Sequence, residues 1–310
     1  MTAENAMIVR DLSRRFGRFT AVDRVSFDVK RGEIFGFLGA NGAGKSTAIR
    51  MLCGLLKPTS GTAVVDGVDV GRDPEAVKQR IGYMSQRFSL YEALTVDQNI
   101  RFWGALYGLD DDRIARRRSF VLEMAGLSGR ENTKARELAG GWRQRLALGC
   151  AILHEPRLVF LDEPTGGVDP VSRRQFWRLI EDLSRSGVTI LVTTHYLDEA
   201  EHCHRIAIIN AGKLAAIGTS HELKHVFADR PIVEIHSSRP VDVMKALDRM
   251  DEVQKTTLFG TAVHAVLKPG RIDAAELRVR LEAQGFEIRA IDRVMASLED
   301  VFLDVVERAS

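Results

Sequence analysis

The segment Gly39-Ala40-Asn41-Gly42-Ala43-Gly44-Lys45-Ser46 fits the pattern G-x-x-x-x-G-K-S/T. Glycines let a backbone fold back so that successive N–H groups converge on one anion. A lysine at that place is a point charge for β- and γ-phosphates, and the next hydroxyl is a hard oxygen ligand of the kind Mg²⁺ prefers. Gly39, Asn41, Gly42, Ala43, Gly44, Lys45, Ser46 and Thr47 are therefore expected to hold the phosphates of a nucleoside triphosphate, with Ser46 on the metal. A second pair of residues, Asp162-Glu163, ends the apolar run Leu158-Val159-Phe160-Leu161. Asp162 is the candidate for a further Mg²⁺ ligand, and Glu163 for the general base that takes a proton from an attacking water. Each motif alone has a plainer reading, a Gly-rich surface turn or a strand ending in two solvated acids. Their occurrence together favours the chemistry.

Such residues work only if the chain positions them. Ile34-Phe35-Gly36-Phe37-Leu38 is a short continuous apolar run of the fully buried kind, and it feeds the glycine loop directly. Ser46 to Leu56 reads as the helix that lends its positive N-terminal end to a phosphate. Ala21 to Lys30 alternates as a half-buried strand, and Val64, Val65 and Val68 form another β section around the turn Asp66-Gly67. Leu94 to Leu153 is helical in pattern, broken near Gly108 and from Gly126 to Gly129. Beyond it, Leu158–Leu161 and Val188–Thr193 read as buried strands, and Val171–Ser184 and Leu197–His202 as helices. Buried strands alternating with helices predict a parallel sheet covered on both faces, with Asp162 and Glu163 at the carboxyl edge beside the phosphate loop.

The composition shifts at Pro231. The remainder reads strand (Ile232–Ile235), helix (Val241–Met250), strand (Val253–Leu258), strand (Ala262–Leu267), helix (Ala274–Gln284), strand (Glu287–Ile291) and helix (Ser297–Glu307). This βαββαβ order resembles a small ferredoxin-like module. The expected boundaries are an ATP-binding domain over 1–228 and an accessory C-terminal domain over 231–310, read as regulatory or dimer-supporting because the motifs are complete before it, with a passive stabilising cap as the plainer alternative.

The bulk numbers exclude some classes. The chain has 310 residues, 45% hydrophobic and 28% charged, in the range of globular domains, and its net charge of +2 marks no nucleic-acid-binding field. No basic stripe suggests a nucleic-acid partner. The N-terminus lacks a secretory pattern, and runs such as Thr189–Val192 and Ile206–Ile209 are far shorter than the roughly 20 residues of a membrane span. The chain is expected not to cross a membrane by itself. Its three cysteines, Cys53, Cys150 and Cys203, are scattered and suit a reducing cytoplasm.

To this point the residues fit many NTPases. Further motifs resemble the ABC ATPases. Gln86, in Tyr83-Met84-Ser85-Gln86, looks like the family's Q-loop glutamine; Leu138-Ala139-Gly140-Gly141-Trp142 resembles the Leu-Ser-Gly-Gly-Gln signature; Gly166-Gly167-Val168-Asp169 resembles the D-loop; His195, after Thr193-Thr194, looks like the switch histidine; and Phe16 stands where an aromatic stacks on adenine. These motifs run in family order from about residue 7 to residue 225. The resemblance implies an α/β fold of the P-loop NTPase type: a RecA-like core sheet, an antiparallel β subdomain and a helical signature subdomain, with a small α+β domain appended. It implies Gln86 as a catalytic residue and metal neighbour, His195 at the γ-phosphate, and Gly140, Gly141 and Asp169 at ATP held across a homodimer.

The signature departs from the family pattern at Ala139, which lacks the serine hydroxyl, and at Trp142, which replaces glutamine. The glycines can still offer backbone N–H groups to an anion. Met84 to Tyr91, with Leu94-Thr95-Val96, Asn99 and the ending Ser297-Leu298-Glu299-Asp300-Val301-Phe302-Leu303, resembles an exporter branch whose members pair with a separate six-helix permease at the cytoplasmic face of the membrane. Two other readings stay open: a degenerate regulatory subunit, motivated by Ala139, and a soluble non-transport ABC ATPase. His195, Glu199, His202 and Cys203 share helix-like spacing that could suggest a metal cluster, but His195 already has a place at the strand end.

Overall fold

A computed structural model of the chain describes residues 5–86 and 90–308. Residues Arg87, Phe88 and Ser89, part of the exporter-like segment, lie outside the described residues. The chain divides into two compact units, 1–219 and 220–310.

The first unit begins with a long hairpin, β1 (Asn5–Phe16) and β2 (Phe19–Lys30). With β4 (Ser60–Val65) and β5 (Val68–Asp69) it forms an antiparallel sheet of order β2-β1-β4-β5. Sequence reading missed β1. Its register slips between Val9 and Leu12 and again between Leu12 and Arg15, and Asp11 adopts φ 48°, so the alternation that marks a strand is broken. Asp66 and Gly67 both have positive φ, the turn expected between β4 and β5.

The second sheet carries the chemistry. β3 (Ile34–Leu38), β7 (Leu158–Asp162) and β8 (Thr189–Thr194) are buried at every position, which needs cover on both faces. The sheet order is β10-β9-β3-β8-β7-β6, with β6 (Ile81–Met84), β9 (Arg205–Asn210) and β10 (Lys213–Gly218) completing it. All neighbours are parallel except β9 and β10. The four residues of β6 are too few for a sequence signal, and Ile206–Ile209 reads as apolar without revealing the β9–β10 hairpin. Phe27, Phe35 and Phe37 pack ring on ring between the two sheets, at centroid separations of 5.1–5.7 Å.

Helices α1 (Lys45–Leu52), α2 (Pro74–Arg80), α3 (Val96–Leu106), α4 (Asp111–Ala125), α5 (Gly140–Ala151), α6 (Pro170–Arg185) and the short α7 (Leu197–Ala200) connect the strands. α1 stops at Leu52, earlier than the expected Leu56, because Gly54 turns left-handed at φ 70°. α6 starts at Pro170, the favoured first position, under the side-chain cap of Asp169.

The second unit runs α8 (Ser220–Lys224), β11 (Ile232–Ser237), α9 (Pro240–Leu247), β12 (Val253–Phe259), β13 (Ala262–Leu267), α10 (Ala274–Ala283), β14 (Ile288–Val294) and α11 (Leu298–Arg308). Its antiparallel sheet has the order β12-β13-β11-β14. Val233, Ile235, Val243, Leu247, Val263, Leu277 and Leu281 make a core of its own.

Candidate functional site

Strand register builds the site. Leu38 pairs with Thr194, and Asp162 with Thr193. β3, β7 and β8 therefore end level, and the residues that leave them, the glycine loop, Glu163 and His195, emerge at one edge of one sheet. This is the carboxyl edge where open α/β sheets take ligands.

The loop from Gly39 to Gly44 turns back on itself, with the Ala43 N–H donating to Ala40 O at 3.1 Å. Gly44 has φ 106°, and a Cβ there would stand 2.4 Å from Ala21 O, so only glycine fits. Ala40, Asn41 and Gly42 are exposed at the tip, while Gly39 and Ala43 are buried at the base and Thr47 is half-buried. Lys45 is 4% exposed, and its Nζ donates to Gly39 O (2.8 Å) and Ala40 O (3.1 Å). The lysine thus braces the loop from inside.

Ser46 Oγ donates to Asp162 Oδ1 at 2.9 Å, and Thr193 Oγ1 donates to the same oxygen at 2.7 Å. The Thr193 hydroxyl also accepts from the Glu163 N–H, so it pins both acids to β8. Tyr83, half-buried on β6, has its phenol pushed up to about 12 by burial and by the Asp162 charge. Glu163 holds φ 48°, a conformation rare outside glycine, asparagine and aspartate. Its carboxylate lies 3.3 Å from Lys45 Nζ, 3.4 Å from His195 Nδ1, and accepts from Gln86 Nε2 at 3.0 Å. The His195 contact is close enough for an ion pair but is not aligned as a hydrogen bond. Five residues singled out by sequence, Lys45, Ser46, Gln86, Asp162 and His195, are thus joined through Glu163 and its neighbour.

Phe16 is 46% exposed beneath the Arg14 guanidinium, 4.6 Å from its ring centre, so it is not core. Asp169 serves its own helix, since its Oδ1 caps α6 at the N–H groups of Val171 and Ser172, and bonds from Ser172 hold its carboxyl below the usual range. Gly140 starts α5 and Ala139 gives no side-chain cap. Trp142 lies half-buried in the first turn of α5 under Arg130, whose guanidinium stands 4.2 Å from the ring centre. A Cβ on Gly141 would meet Ser172 Cβ at 2.6 Å. Gly141 is thus needed for α5 to approach α6, besides any part it has at a phosphate.

The spacing of His195, Glu199, His202 and Cys203 gathers no metal site. His202 pairs with Glu181 at 2.9 Å and stacks on Trp177; Cys203 is buried, which pushes its thiol far up; Glu199 bonds to Thr165 and Thr194. Sequence reading also passed over Gln144, fully buried in α5, whose Nε2 donates to Pro164 O. No local pattern flags it, since it stands between Arg143 and Arg145 and reads as part of a polar run.

A family model described as ABC transporter matches residues 22–166. The chain is 50% identical over 221 residues to the probable multidrug ABC transporter ATP-binding protein YbhF of Escherichia coli, covering 71% of this chain and 38% of that protein. It therefore spans well under half the length of that relative. It is 41% identical over 214 residues to the linearmycin resistance ATP-binding protein LnrL of Bacillus subtilis, 69% of each. It is 36% identical over 304 residues to the Nod factor export ATP-binding protein I of Cupriavidus metallidurans, 97% of each. Among solved structures, an ATP-binding subunit of an ABC transporter superposes with TM-score 0.65 at 31% identity, over 72% of this chain and 93% of that one. A dimeric ATP-binding cassette holding ADP and Pi after hydrolysis gives TM-score 0.63 at 25% identity, over 69% of this chain and 98% of that one. The family match spans the glycine loop and the Asp162-Glu163 pair, and with these relatives the chain belongs to the ATP-binding proteins of the ABC transporter family.

Proposed function

We propose that the chain binds MgATP on the Gly39–Thr47 loop, hydrolyses it with Glu163 as base, and drives export through a separately encoded membrane permease. The observation that carries this reading is the convergence of Lys45, Gln86 and His195 on the Glu163 carboxylate, beside Ser46 on Asp162. The Ser46 hydroxyl on the Asp162 carboxylate is a pair of hard oxygens that fits Mg²⁺, and the Gln86 amide, which donates its Nε2 to Glu163, carries a third such oxygen. Ser46, Asp162 and Gln86 would hold the ion, which when bound neutralises charge on the phosphates. Lys45 contributes its charge to the β- and γ-phosphates. Glu163 takes a proton from water as the water oxygen bonds to the γ-phosphorus and the bond to the β-phosphate bridging oxygen breaks, releasing ADP. His195, on the other side of the carboxylate, orients the water and the γ-phosphate, and Phe16 offers its exposed face to adenine.

The site is completed by a second copy, whose Gly140 and Gly141 at the start of α5 approach the γ-phosphate with Asp169 of the D-loop nearby. The dimeric relative of known structure supports this arrangement. The chain is read as peripheral, held at the cytoplasmic face through its permease; no described helix is long and apolar enough to cross a membrane. The export and resistance relatives support the direction of transport. The second unit is read as an accessory module of ferredoxin-like type.

Calorimetry of Lys45→Ala with MgATP tests the loop, and phosphate release with and without the co-expressed permease tests the enzyme. Weakened ATP binding in the variant, with turnover in the wild type, is expected. Unchanged affinity would remove the phosphate-loop assignment, and ATP binding with no turnover in either preparation would favour the degenerate regulatory reading that Ala139 suggests.

A further inference from the structure

Glu199 is a carboxylate with 1% of its surface exposed, on the four-residue helix α7 that follows β8. Burying a charge is costly unless partners compensate, so an apolar residue of similar size would serve packing better. What surrounds it explains the acid. Glu199 Oε1 accepts from the Thr165 hydroxyl, and Oε2 accepts from the Thr194 hydroxyl at 2.6 Å. Arg173 of α6 supplies the opposite charge, with Nε 3.3 Å from Oε1. The same guanidinium lies 4.3 Å from the Tyr196 ring centre.

Both threonines stand beside catalytic positions. Thr165 follows Glu163 by one intervening residue, inside the turn that the Gly166 N–H closes on Glu163 O at 3.2 Å. Thr194 immediately precedes His195, and its hydroxyl accepts from the Tyr196 N–H at 3.0 Å. The peptide that carries His195 is thereby held on both sides by one hydroxyl, and that hydroxyl rests on Glu199.

We infer that Glu199 is a positioning residue for hydrolysis, fixing the segment after the base and the segment bearing the switch histidine to a common anchor. This rests on the reading of Glu163 as base and His195 as its neighbour. A carboxylate suits such an anchor because both oxygens accept, one from each threonine. Glutamine keeps the shape but presents an NH₂ to one of them and removes the countercharge of Arg173, so one arm is lost with little change of volume.

The test is steady-state ATP turnover of the full chain for Glu199→Gln, Thr165→Val and Thr194→Val, with Glu163→Gln run alongside. ¹³C-labelled histidine reports the His195 imidazole by NMR in each variant. Misplacing a catalytic group by a fraction of an ångström to one ångström costs up to about 100-fold in rate. Glu199→Gln is expected to lower kcat about 10- to 100-fold with little change in the KM for ATP, and to shift the His195 resonance. A role confined to packing would lower the melting temperature but leave the kcat of the folded fraction and that resonance in place. If Glu199→Gln does not fold, the threonine variants carry the test, each expected to reduce kcat with KM retained. Wild-type kcat in Thr165→Val and Thr194→Val, or in a folded Glu199→Gln, overturns the inference while an inactive Glu163→Gln leaves the site reading standing. An active Glu163→Gln overturns both.

Discussion

Replacing Glu163 by glutamine separates two effects, the proposed role of its carboxylate as base and its pairing with Lys45. The side chain keeps its size and its contact with Gln86, but it can no longer accept a proton from water. General-base catalysis typically contributes about 10²- to 10⁴-fold, which is roughly 3–5 kcal/mol of barrier. The second effect concerns Lys45. Its Nζ lies 3.3 Å from Glu163 Oε1 in a site where both side chains are under 10% exposed. Breaking a buried pair by removing one partner costs about 3–5 kcal/mol, and the two carbonyl bonds that Lys45 keeps, at 2.8 and 3.1 Å, hold the loss toward the lower figure. Without nucleotide the variant should therefore be less stable than the wild type. ATP restores negative charge beside Lys45, so its stabilising effect should be larger in the variant. Phosphate release at saturating MgATP and thermal melting with and without MgATP measure the two effects separately. Turnover within tenfold of wild type would remove Glu163 from the role of base. An ATP-induced rise in Tm no greater than that of wild type would show that phosphate does not replace the Glu163 charge beside Lys45.

Further outcomes follow from the geometry. Gly140→Asp, where an added Cβ meets Val168 only at 4.0 Å, should leave Tm and ATP binding of the monomer unchanged while abolishing turnover. Gly141→Ala, by contrast, drives a Cβ onto Ser172 and should cost about 1–3 kcal/mol, read as a lower Tm and relieved in part by Ser172→Gly. In the second unit, His264 is clamped by Asp300 (3.1 Å to Nδ1) and Glu234 (3.0 Å to Nε2). Burial alone would lower its pKa, but the hydrogen bonds to both acids outweigh burial and raise it, while they hold the two carboxyls low. The stability this clamp contributes should be complete below about pH 6.5 and lost as pH rises through the raised His264 pKa. The acids act in the opposite sense, contributing fully above about pH 4.5 and losing that contribution as pH falls through their lowered values. Hydrogen exchange at β13 should be most protected between these limits, and His264→Gln should flatten the alkaline side; a flat profile in the wild type would refute the clamp.

Much of the site was legible because its residues are local in sequence. The glycine loop, Lys45 and Ser46 form one motif, and Asp162-Glu163 and His195 each end an apolar run that reads as a buried strand. Their meeting at one edge follows from parallel strands of matched register, which the alternation of buried strands and helices anticipates. The second unit was also readable, since its strands and helices keep clean periodicity to within a few residues. What escaped depends on distant partners. β1 carries bulges that erase its alternation, β6 is too short to signal, and Thr193, Gln144 and Glu199 gain their meaning from atoms 20 to 34 residues away in the chain. Gly141 was expected, from its place in the signature, at a phosphate, whereas its approach to Ser172 depends on how two helices cross.

The Gln144 side chain bears on how two ATP molecules communicate. It leaves the helix that begins at Gly140 and ends on the carbonyl of Pro164, the residue after Glu163. In the proposed dimer one chain handles two nucleotides at once, gripping its own with the loop and acids and pressing the start of α5 on its partner's. A short buried amide joins those two grips. Departure of phosphate from one site, by relaxing the Glu163 turn, would tilt the helix that closes the other. In that dimer the two sites would share one lever, the buried amide that ties the start of α5 to the turn after Glu163.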